Sequence, residues 1–70
     1  MGCNQRYSAR VAQKRRVDRV LTHIADSRGL IREIAVAYEG KHELIHKAAL
    51  SLDETLDIVY DLVWQLRMEI

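Results

Sequence analysis

Stepping by sevens from Val17 meets only apolar residues: Val17, Ile24, Ile31, Tyr38, Ile45, Leu52, Val59 and Leu66. The row three residues further on, Val20, Ser27, Ile34, Lys41, Ala48, Thr55, Leu62 and Glu69, is half apolar. A third row supplies Leu21, Ala35, Ala49, Leu56, Val63 and Ile70, interrupted by Arg28 and His42. The remaining face carries Asp18, Arg32, Glu39, His46, Asp53 and Arg67, beside Arg19, Asp26, Glu33, Lys47, Glu54 and Asp61. A wide apolar stripe at this spacing is the signature of packed amphipathic helices. No segment alternates with a two-residue period, so the expected fold is all-α.

Helix boundaries are marked less sharply. Ser8 can cap a first helix running to about Ala25, and Asp26-Ser27-Arg28-Gly29 reads as a turn. Glu39-Gly40-Lys41 offers a second break, and Ser51-Leu52-Asp53-Glu54 has the capping-box pattern. These signals predict a small bundle of three helices near 9–25, 30–49 and 52–68. The alternative is a two-helix hairpin turning near Gly40. Residues 1–7 are expected to form a flexible basic arm, and residues 8–70 a single helical domain. Ordering costs about 1.5 kcal/mol per residue, which roughly cancels the burial gain at this size. Completion by homodimerisation is therefore expected, with Ile31, Ile45, Val59, Val63 and Leu66 as the dimer core.

Composition narrows the class. The chain has 70 residues, 49% of them apolar, with no proline, one cysteine and a net charge of +1. That is too apolar and too nearly neutral for disorder, and too short for two cores. A lone Cys3 cannot form an intrachain disulfide, which favours a reducing, cytoplasmic setting. The longest apolar run, Ile34 to Tyr38, falls far short of the roughly 20 residues that span a bilayer. The arginines near the N-terminus do not read as a signal peptide. Met1-Gly2-Cys3 lacks the Ser or Thr at position 6 that acylation favours, Arg6 standing there, so no membrane partner is expected. Charge is nevertheless graded: residues 1–19 carry +5, residues 20–50 carry 0 and residues 51–70 carry −4.

One short motif suggests chemistry. In His42-Glu43-Leu44-Ile45-His46, two imidazoles four apart on a helix could share a Zn²⁺, with Glu43 as general base on its water. The stretch resembles the zincin metallopeptidases, a likeness that implies His42 and His46 as ligands and Glu43 as the catalytic base. It covers five residues of seventy, assigns no third ligand, and comes without the strand signal those enzymes bring. The expectation is therefore no cofactor and no catalytic residue, with zinc at His42 and His46 the alternative. Ile24, Arg28, Ile31, Ile34, Tyr38 and Gly40, followed by an acidic helix, loosely resemble the helical-hairpin phosphatases of sporulation control. Their Ser-Gln-x-Leu-Asp hallmark is missing, since Asp53-Glu54-Thr55-Leu56-Asp57 keeps only the final Leu-Asp, and no family is assigned.

The charge gradient suggests partners. Arg15, Arg16 and Arg19 cluster on the first helix, and Asp53, Asp57 and Asp61 form a stripe on the last. Their mutual pairing, within the chain or across a dimer, would choose orientation more than it stabilises. The same arginines could meet a nucleic-acid backbone, although Tyr7 is the only aromatic nearby for stacking. The sequence thus predicts a non-enzymatic regulatory or adaptor protein, using Arg15, Arg16, Arg19, Asp57 and Asp61 towards a protein partner. A nucleic-acid-binding regulator is the alternative.

Overall fold

A computed structural model describes the backbone of residues 2–70 and the side chains of residues 9–70. The chain is an antiparallel hairpin of two α-helices, α1 (Gly2–Tyr38) and α2 (Glu43–Glu69). It measures 61 × 15 × 10 Å. Ser8, expected as a cap, lies inside α1, which already starts at Gly2; the side chains of residues 1–8 lie outside the described ones.

The three-helix expectation gives way to the hairpin. Asp26-Ser27-Arg28-Gly29 does not turn; α1 runs straight through it. Poor helix formers are overridden there because Arg28 is held from α2, as described below. Ser51-Leu52-Asp53-Glu54 likewise lies inside α2, where Ser51 offers its carbonyl to the Thr55 hydroxyl at 2.9 Å.

The break falls at Gly40, whose φ of 73° is left-handed and suits a residue without Cβ. The Tyr38 carbonyl accepts from the amides of both Lys41 and His42 at 3.0 Å, which ends α1. His42 then caps α2 from an extended backbone, its Nδ1 accepting from the Ile45 amide at 3.3 Å. Glu43 in the first turn and Arg67 in the last complement the helix dipole. A connection this short dictates antiparallel neighbours.

Val17, Leu21, Ile24, Arg28, Ile31 and Ala35 form the α1 side of the seam, at alternating spacings of four and three. Ala49, Leu56, Val63 and Ile70 answer from α2. Among the described residues only Val17, Leu21, Ala35 and Ala49 are buried, and no large side chain is fully so. The accessible surface is 5807 Å², against about 4500 Å² for a compact monomer of this mass.

Candidate functional site

Charges gather on one side of the seam. Arg28 Nε donates to Asp53 Oδ1 at 2.8 Å, and Arg32 Nε to Asp53 Oδ2 at 3.1 Å. Arg28 also reaches Asp57 at 2.9 Å, and Arg67 bonds Asp18 while lying over the Trp64 ring. The Arg28 hydrogen bond holds the Asp53 carboxyl below the usual carboxylate range, with Arg32 adding to it. Asp53 in turn raises the already high Arg28.

The other side is apolar from end to end. Ile31, Ile34, Ile45, Ala48, Ala49 and Leu52 line a groove of about 270 Å³ there. Carrying that register along both helices gives seven cross-hairpin layers. From the turn they are Tyr38/Ile45, Ile34/Ala48 and Ile31/Leu52, then Ser27/Thr55 in the middle. Ile24/Val59, Val20/Leu62 and Val17/Leu66 complete the run towards the open end. None of these positions is charged, and only Ser27 and Thr55 are polar. Ile34, Leu52, Leu62 and Leu66 are each about half exposed, and Leu30 extends the patch at its edge.

The residues singled out from sequence fall in three places. Of the expected dimer core, Ile31, Ile45 and Val59 sit half-buried where the seam meets the apolar side. Leu66 is 53% exposed on that side, whereas Val63 belongs to the seam itself. Arg15, Arg16 and Arg19 are exposed, and within the hairpin they are not the partners of the acidic stripe. Those partners are Arg28 for Asp57, and Arg28 with Arg32 for Asp53. The antiparallel register explains the correction, because it sets residues 53–57 level with residues 24–32 rather than with the basic end. Asp61 is exposed and forms no ion pair among the described residues.

His42 and His46 do not project together from one helix face. His42 is the cap, and His46 Nδ1–H donates across the seam to the Ala35 carbonyl at 2.7 Å. Glu43 pairs with Lys47 one turn on. No group of three or more His, Cys, Asp or Glu side chains converges among the described residues. Sequence reasoning missed the cap and the His46 bond because the metal motif accounted for the same two residues. It also missed Arg28 as the partner of Asp53; the signal was a lone charge interrupting the apolar row of Leu21 and Ala35.

Among the described residues, no helix is long and apolar enough to cross a membrane. The chain matches no family model, no curated protein and no solved structure.

Proposed function

We propose that this protein is a helical regulatory or adaptor module that works as a homodimer and acts through protein–protein contacts. The observation that carries this reading is the apolar side, an uncharged surface built jointly by both helices along their length. Exposed apolar patches of this extent mark association sites. Val20, Ile34, Leu52, Leu62 and Leu66 on it are each 44–56% exposed, a continuous apolar surface that a second copy could cover. The radius of gyration of 17.1 Å against about 11 Å for a compact chain of this length fits half of an assembly better than a whole one. Sedimentation equilibrium at micromolar concentration tests it: a dimer is expected, and a folded monomer overturns the reading.

A second reading rests on a different observation. Arg15, Arg16 and Arg19 stay outside the ion pairs that occupy Arg28, Arg32 and Arg67. They project from the face of α1 turned away from the seam and remain available to a polyanion such as duplex nucleic acid. Binding that weakens steeply with salt, and disappears when all three become alanine, is the expected result. Salt-independent or absent binding removes this reading.

A further inference from the structure

We propose that the second copy seats on the apolar side end over end, with the two-fold axis through the Ser27/Thr55 layer and the two Gly40 turns at opposite ends. This rests on the homodimer reading above and names its geometry. The stripe is symmetric about its middle layer. Three apolar layers lie on the turn side of Ser27/Thr55 and three on the open side, so the stripe presents the same order from either end. An isologous interface whose axis crosses the helices requires that property. A dimer with its turns together requires no symmetry along the helices.

Register points to the same axis. Apolar layers repeating every seven residues would let one hairpin slide along the other by a heptad with apolar still on apolar. Only Ser27 and Thr55 tell those registers apart. Seated on the axis, α1 lies against α1 of the partner copy, and the Ser27 hydroxyls of the two copies meet. One Ser27 hydroxyl donates to the other, and the accepting hydroxyl's own hydrogen is left for a neighbouring acceptor. Thr55 already donates to the Ser51 carbonyl at 2.9 Å and keeps lone pairs for its neighbour. One heptad out of place, these hydroxyls would be covered by aliphatic side chains without partners. A polar layer in an apolar seam specifies register in this way while lowering stability.

Spin labels test the arrangement in the full chain, attached at Lys41→Cys in a Cys3→Ser background. Each turn lies fourteen residues from the axis, so pulsed distance measurements should give one separation near 40 Å. A separation below about 20 Å would place the turns together and overturn this geometry while leaving the homodimer intact. A monomer would overturn both. In a Ser27→Leu/Thr55→Val variant the dimer should tighten at least about tenfold and the single distance should split into several. One unchanged distance with unchanged affinity would show that the layer sets no register.

Discussion

On one side of the hairpin, Asp18, Arg28, Arg32, Asp53, Asp57 and Arg67 satisfy one another within the chain. On the other, Val20, Ile34, Leu52, Leu62 and Leu66 are large, apolar and uncovered. The ion pairs decide which residue of α1 stands opposite which residue of α2, because a guanidinium and a carboxylate must meet within hydrogen-bond distance. Partly exposed pairs contribute little free energy each. The apolar side holds the larger share, realised only when it is covered. Specificity and stability thus reside on opposite sides of the same two helices.

The strongest way to break this comparison is to charge the apolar side. Ile34→Lys/Leu62→Lys should destabilise the proposed dimer by more than about 4 kcal/mol and leave an unfolded monomer at micromolar concentration. Sedimentation combined with circular dichroism reads both effects; a folded dimer would contradict it. On the charged side, Asp53→Asn removes the negative charge shared by Arg28 and Arg32 and one of the two oxygens that accept from them. It should lower the melting temperature while leaving the dimer assembled, a smaller effect of a different kind.

Acid sharpens the same point. The folded state holds the Asp53 pKa below its unfolded value. The stability this confers is complete above the ordinary carboxylate range and disappears as pH falls through the lower folded value. Asp53→Asn should therefore flatten the acid limb of a stability–pH curve below that range. An acid limb of unchanged slope would deny the pair this role.

The smallest expected effects come from Gly40 in the turn and Gly29 on the exposed face of α1. Gly40→Ala meets no neighbour within 4 Å but must adopt φ 73°, and should cost about 1 kcal/mol. Gly29→Ala also meets open space, in a helix interior, and should stabilise by about 0.5–1 kcal/mol. Urea denaturation of both variants distinguishes the signs.

Much of this was legible in the rows of seven. They specify helices, and Gly40 marks one turn among several candidates. What could not be read was which weak breaks are overridden. Asp26-Ser27-Arg28-Gly29 has the residues of a turn, yet Arg28 finds Asp53 25 positions away, and local propensity yields to that contact. Ser51 and Glu54 have the residues of a capping box, yet His42 caps α2, which fixes the start a full two turns earlier. The division of apolar residues between the seam and the open side was equally hidden, because Val63 and Leu66 are one helical turn apart and only the neighbouring helix tells them apart.

The ladder of contacts between the helices also sets an order of assembly. The Ala35–His46 bond closes 11 residues, Arg28–Asp53 closes 25 and Asp18–Arg67 closes 49. Closing a short loop loses less chain entropy than closing a long one, and each rung shortens the loop left for the next. Loop-closure entropy therefore favours contacts near Gly40 first and leaves the open end the most prone to fray. Stopped-flow traces should record damage at the turn as slower folding, and loss of the Asp18–Arg67 pair as faster unfolding with the folding rate unchanged.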